Sequence, residues 1–298
     1  RQMYSFLQKF GRLLVIWLPL GWLCIFFMLP LVEMVNVSMS EARRAVPPYN
    51  PAFQIGRDGI SFQPVVDNYL LIYEYWEDYL WPAVNSVKLA FFSTLYCLLF
   101  AYPMAWWIAR SNKSLQHILL VLVLMPFWTS SLLRMYALIG LLNPNGIINN
   151  FLIWAGITVT PIQMMQTDFS IYSGMILTYL PLMILPLYAS LVRLDNSMLE
   201  AAADLGAKNW DIFRTIILPL SVPGLIAGCL LVFIPAVGEF VIPALLGGPE
   251  QLMLGKVIWT EFFRNRDWPV AAAIAIILIA IIILPIVYAR YQDKEGIS

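Results

Sequence analysis

Residues 268–289 read WPVAAAIAIILIAIIILPIVYA, twenty-two consecutive positions without an Asp, Glu, Lys or Arg. A hydrocarbon core of about 30 Å is crossed by about 20 apolar residues in a helix, so this run is long enough to span a bilayer. Windows 13–32, 89–109, 169–192 and 215–238 are uncharged in the same way, and 118–142 holds one charge, Arg134. The runs are continuous rather than alternating, which selects helices over barrel strands. Across the 298 residues, 60% are hydrophobic and 12% charged, against about 25% charged in an ordinary soluble chain. That is too little polar surface for a soluble domain, and 18 Lys and Arg balanced by 18 Asp and Glu leave no basic face for nucleic acid. The expected fold class is all-α: one polytopic domain over 1–298, with six transmembrane helices at about 13–37, 83–110, 115–142, 169–193, 215–246 and 268–291.

The prolines inside these windows, Pro19, Pro30, Pro103, Pro126, Pro181, Pro186, Pro235 and Pro285, are tolerable in membrane helices whose neighbours satisfy the freed carbonyls. Cys24, Cys97 and Cys229 fall in apolar windows and read as packing residues rather than a disulfide framework. Arg1, Lys9 and Arg12 precede the first window. Its twenty uncharged residues exceed a signal-peptide core, so it reads as an uncleaved helix of a chain trimmed of its initiator Met. With the N-terminus inside, ten basic residues fall in inner segments and six in outer ones, among them Arg43, Arg44 and Arg57. The positive-inside bias therefore places both termini in the cytoplasm. The longest connection, 38–82, is then external and carries Glu41, Asp58, Asp67, Glu74, Glu77 and Asp78.

The inner loop 194–214 is the most informative segment. Ser197-Met198-Leu199-Glu200 fits a capping box, Ala201, Ala202 and Ala203 propagate a helix at no side-chain entropy cost, and Gly206 is placed to end it in the left-handed conformation. Asn209 is positioned to cap a second short helix before Pro219 opens the fifth span. Glu200-Ala201-Ala202, then Gly206, then Ile216, Leu218 and Pro219 fill every fixed position of E-A-A-x3-G-x9-I-x-L-P. This resembles the signature loop of permease subunits of ABC importers. Pro126-Phe127-Trp128-Thr129 with Arg134-Met135-Tyr136, the stretch 234–241, Leu246-Gly247-Gly248-Pro249 and Asn265-Arg266-Asp267-Trp268-Pro269 extend the likeness to the polyamine-importing branch, over about 85–291.

The resemblance implies a type I importer permease fold in a bacterial inner membrane. It also implies that Ser197, Glu200, Ala201, Ala202, Gly206, Ile216, Leu218 and Pro219 couple the permease to an ATPase. The implied partners are a second, different permease chain, two ATPase subunits that bind ATP and Mg, a periplasmic substrate-binding protein and membrane lipid. No cofactor is expected in this chain and no catalytic role.

A charge at the centre of a membrane helix costs about 2.5–3.5 kcal/mol on insertion scales, so each one needs a reason. Glu33 and Lys88 lie near span ends and read as interfacial snorkellers. Glu239 and Arg134 lie deeper. They can form an ion pair with each other, or Glu239 can line a passage and receive a substrate ammonium group, or it can meet a partner subunit. Trp128, Tyr136, Tyr179, Phe233 and Phe240 are candidates to hold an alkyl diamine through cation–π and apolar contacts, against the plainer role of packing or lipid-facing aromatics.

The chain has no Walker A sequence: Gly255-Lys256 is followed by Val257, so energy must come from a separate chain. His117 is the only histidine, which excludes His-based metal centres and leaves no triad in a plausible place. The competing readings are an importer of another small solute and an ion-coupled secondary transporter with Glu239 as its ion site.

Overall fold

The computed structural model describes residues 2–56 and 59–295; Arg1, Arg57 and Asp58, named among the charges above, lie outside the described residues. The helices in chain order are α1 (Gln2–Ser38), α2 (Asp67–Glu74), α3 (Trp76–Arg110), α4 (Lys113–Leu124), α5 (Ser131–Leu142), α6 (Ile147–Trp154), α7 (Asp168–Leu191), α8 (Asn196–Asp204), α9 (Asn209–Ile212), α10 (Leu218–Val237), α11 (Val241–Leu246), α12 (Leu254–Trp259) and α13 (Trp268–Glu295). The chain divides into two compact units, residues 1–79 with 258–298, and residues 80–257.

In the first unit α1 packs along α13. The most apolar window within the 15–38 stretch of α1 has no residue buried inside the chain, which leaves apolar side chains such as Trp17, Leu18 and Phe26 exposed. The connection after α1 is folded rather than an open loop. Strands β1 (Glu41–Ala42) and β2 (Tyr49–Asn50) pair antiparallel, as do β3 (Phe53–Gly56) and β4 (Gly59–Phe62). Asn68 on α2 donates to the carbonyls of Ser38 at 2.8 Å and Ser40 at 2.9 Å, and the Tyr69 hydroxyl donates to Ser38 Oγ at 2.9 Å. Asn36 Oδ1 accepts from the Phe53 amide at 2.9 Å. The bond to the Ser38 carbonyl satisfies one of the groups that a helix end leaves open, and together the four fasten the segment onto the end of α1.

The second unit is built on α7 against α10, which approach closely through small residues, as membrane helices do. A methyl at Gly224 would run into the Ser190 hydroxyl and the Pro186 carbonyl, and one at Gly228 would lie 2.8 Å from Met183 Sδ. At the other end of α7, Gly174 makes room for Ile242 and Leu246 of α11. Asn85 and Ser86 of α3 bond the Leu252 carbonyl at 3.0 Å and the Leu254 amide at 2.7 Å.

The stretches 15–38, 76–110, 168–191 and 209–237 are helices long and apolar enough to cross a membrane. The expected continuous span at 115–142 is replaced by two arms, Lys113–Trp128 and Ser131–Trp154, bent by 93°. Pro126 tightens the end of the first arm into a 3-10 turn. Thr129 and Ser130 are then extended (φ −99°, ψ 149° and φ −59°, ψ 134°), with the Thr129 hydroxyl donating to the Pro126 carbonyl at 2.8 Å. The expected span 215–246 is likewise interrupted, after Val237, by Gly238-Glu239-Phe240.

Candidate coupling loop and membrane site

The loop between α7 and α10 forms a knob of two short helices. Asp195 caps α8: its Oδ1 accepts from the Ser197 amide at 3.0 Å. That bond and the Ser197 hydroxyl hold the Asp195 carboxyl below its ordinary pKa. The capping box expected at Ser197 and Glu200 is therefore corrected. The helix starts at Asn196, so Ser197 is already inside the first turn, and Glu200 is left exposed.

Gly206 takes φ +88°, donating to the Ala203 carbonyl at 2.9 Å, while the Ala207 amide reaches Ala202 at 3.1 Å. This is the paired bonding of a Schellman stop. Asn209 does not cap α9, which begins at Asn209; Asp211 Oδ2 instead accepts from the Lys208 amide at 3.3 Å.

A π-helical turn, Phe213–Ile217, holds Ile216 and joins α9 to α10, with Leu218 and Pro219 opening α10. The knob is anchored by side chains that pattern reading did not single out. Trp210 stacks on Phe213 at 5.5 Å, Phe213 meets Tyr102 of α3 edge-on at 5.7 Å, and the Tyr102 hydroxyl bonds Ser221 Oγ at 2.9 Å. Arg110 lies 4.5 Å over the Trp106 ring and donates to the Leu194 carbonyl and to Asn196 Oδ1. Beneath the knob is a cavity of about 650 Å³ lined by Tyr102, Trp106, Leu199, Glu200 and Phe213 among others. Leu205 is 89% exposed and Trp210 68%. Both are large apolar side chains left exposed on the knob, and Glu200 is exposed on α8.

Glu239 occupies the break between α10 and α11. Its Oε1 accepts from the amides of Phe240 at 3.0 Å, Val241 at 2.9 Å and Ile242 at 3.4 Å, and its Oε2 accepts from the Tyr179 hydroxyl of α7. The break at Gly238 frees these N–H groups, and a carboxylate answers them at the favourable end of the helix dipole. The ion pair expected between Arg134 and Glu239 does not form: Arg134 Nη1 donates to the Leu177 carbonyl at 3.4 Å. Backbone amides have taken the acceptor that Arg134 was expected to use.

Among the substrate-path candidates, the structure brings Tyr179 and Glu239 together, with Phe240 adjacent in sequence. Phe233 faces a separate apolar cavity of about 330 Å³ with Phe91, Leu95 and Cys229. Trp128 and Tyr136 are 77% and 60% exposed and join neither group.

An ion pair among the described residues links Lys88 of α3 to Asp168 of α7 at 3.7 Å, both side chains about half exposed. Along the same two helices Tyr172 meets Tyr96 at 5.2 Å and Phe92 at 6.5 Å, edge-on. The spacing Lys88, Phe92, Tyr96 was the only signal of this stripe in the sequence, and its partners lie some eighty residues away. Among the described residues no group of three His, Cys, Asp or Glu side chains is placed to hold a metal ion.

The chain is 39% identical over 276 residues to the spermidine/putrescine transport system permease protein PotB of Escherichia coli (strain K12), covering 91% of this chain and 94% of that one. It is 38% identical over 292 residues to the PotB protein of Haemophilus influenzae, covering 97% and 95%. A chain of the crystal structure of a bacterial alginate ABC transporter, in complex with an alginate pentasaccharide-bound periplasmic protein, superposes with a TM-score of 0.70 at 16% identity. That match covers 99% of this chain and 98% of the other, and shows a shared fold. Residues 101–295 match the family described as binding-protein-dependent transport system inner membrane component. This match spans the bent pair, the knob and the Glu239 break, and the chain belongs to that family.

Proposed function

We propose that this chain is a permease subunit of an ATP-driven importer that carries polyamines, putrescine or spermidine, across a bacterial inner membrane. It contributes six spans and half of the translocation path, with both termini in the cytoplasm. The other half comes from a second, different permease. Two ATPase subunits bind ATP and Mg below, and a periplasmic binding protein delivers substrate above. The observation that carries this reading is the knob between α7 and α10. It holds a short helix with a sharp Schellman stop at Gly206, it leaves Glu200, Leu205 and Trp210 exposed, and it is anchored by Tyr102 and Phe213 to the ends of two long helices. Closure of an ATPase around such a knob is transmitted to α10 through the π turn and to α3 through the Phe213–Tyr102 contact. The identity with spermidine/putrescine permeases over nine tenths of the chain supports the substrate class.

The Glu239 carboxylate, held by three amides and Tyr179, gives the path a fixed negative charge that needs no lysine or arginine beside it. An ammonium group approaching it gains a charged partner without displacing an internal cation. The test is reconstitution in liposomes with the second permease, the ATPase and the binding protein. Labelled putrescine or spermidine is expected to accumulate with ATP and not with an ion gradient alone. Gradient-driven uptake without ATP, or ATP-driven uptake of other solutes only, overturns the proposal.

A further inference from the structure

A second carboxylate near the end of a membrane helix has a different setting. Glu33 lies on α1 five residues before the helix ends at Ser38. It lines a cavity of about 420 Å³ formed within the first unit, together with Tyr49, Phe262 and Trp268. The Tyr49 hydroxyl donates to Glu33 Oε1 at 3.3 Å and Asn36 Nδ2 to Oε2 at 3.4 Å, both long bonds. No lysine or arginine is within ion-pair distance of it among the described residues. Burial, and then the charge of Glu33, raises the Tyr49 hydroxyl pKa, so that group stays protonated and donating.

The aromatic rings are organised. Phe262 stacks on Trp268 at 4.7 Å with planes 7° apart, and Tyr49 lies 6.0 Å from Trp268. Along the helices away from this group, the cavity wall is Pro30 of α1 and Ala272 and Ala275 of α13. The site therefore has an anionic, aromatic head and a small-residue apolar tail. An exposed carboxylate with no cationic partner, lining one cavity with three aromatic rings, is the recognition chemistry of an ammonium group. A structural snorkelling role requires only that Glu33 reach water; it accounts for neither the stacked rings nor the tail.

We infer that the Glu33, Tyr49, Phe262 and Trp268 cavity is a binding site for a primary ammonium group, distinct from the Glu239 break. The ammonium can arrive on an aminophospholipid, whose acyl chain the alanine-walled end accommodates, or on a free amine. This inference does not depend on which solute the chain transports.

The test uses the full chain in nanodiscs of equal phosphatidylethanolamine and phosphatidylglycerol, released for native mass spectrometry with and without millimolar putrescine. The wild type is expected to retain phosphatidylethanolamine over phosphatidylglycerol, and Glu33→Gln to lose that preference by about fivefold or more. Trp268→Leu, which leaves the charge in place, is expected to weaken it as well and serves if Glu33→Gln does not fold. Retention of putrescine instead of the lipid, lost in the same variants, identifies a free amine as the occupant and also supports the site. Equal retention of the two lipids with no bound putrescine in the wild type overturns the inference, as does unchanged amine retention in the variants.

Discussion

The Tyr179 hydroxyl donates to Glu239 Oε2, tying the middle of α7 to the break between α10 and α11. The two residues are sixty positions apart, and the bond accounts for the carboxylate oxygen that the α11 amides leave free. Tyr179→Phe removes that donor and leaves a part-buried carboxylate oxygen unpaired, at a cost of about 1–3 kcal/mol. Thermal unfolding of the purified chain is expected to show a lower midpoint for this variant.

Glu239→Gln and Glu239→Ala separate the capping role from the charge. Gln keeps an acceptor for the α11 amides, whereas Ala loses it and is expected to destabilise by about 0.5–2 kcal/mol. If the carboxylate meets a substrate cation, Glu239→Gln reduces ATP-driven polyamine uptake severalfold while leaving unfolding close to wild type. Unchanged uptake assigns Glu239 to structure alone.

Gly206 has open space around its Cα, yet sits at φ +88°. Gly206→Ala therefore meets no clash and costs only backbone strain, about 1–2 kcal/mol. It is expected to loosen the stop of α8 and lower uptake modestly. Gly206→Asp adds a charge to the exposed face and is expected to leave the protein in the membrane while uncoupling ATP hydrolysis from uptake. Normal uptake at an unchanged ATPase rate by that variant would refute the coupling role.

Asp195→Ala and Ser197→Ala distinguish the two possible caps of α8. The first is expected to speed amide exchange across Asn196–Asp204, and the second to do little. Because the Asp195 carboxyl is held below its ordinary value, its contribution is fully present above the unfolded-state pKa. It is lost as the pH falls through the lower, folded one, so protection of α8 is expected to be flat at neutral pH and to fade only in acid.

At the α7–α10 contact, Gly224→Val places side-chain atoms where Ser190 and the Pro186 carbonyl already stand. The neighbour is partly backbone and cannot swing away, so the helices must separate. The expected outcome is loss of monodisperse protein on size-exclusion chromatography, with Gly140→Val, where the space is open, as the tolerated control.

The elements legible in the sequence were those written in local chemistry. Continuous apolar windows imply membrane helices, and Gly206 after three alanines implies a left-handed stop. The breaks were not legible, because 118–142 is apolar on both sides of Thr129 and hydropathy does not sense a turn inside a greasy run. Asp195 and Ser197 are both good caps by composition, and only the start of α8 at Asn196 shows that Asp195 takes the role. Arg134 and Glu239 looked like partners because each lacked one locally. Glu239 found its donors in its own backbone and in Tyr179, a pairing that only the packing of α7 on α10 reveals. The family itself was legible, because the spacing of the Glu200–Pro219 motif is specific.

The π turn at Phe213–Ile217 bears on how a push on the knob can travel. Its bonds close a wider ring than those of an α-helix, holding one surplus residue in the turn. Removing that residue into regular α geometry would rotate everything on its N-terminal side by about 100° relative to α10. A push on the knob that converted the turn would thus move it by a fixed angular step, with Trp210 and Asp211 on the side that turns.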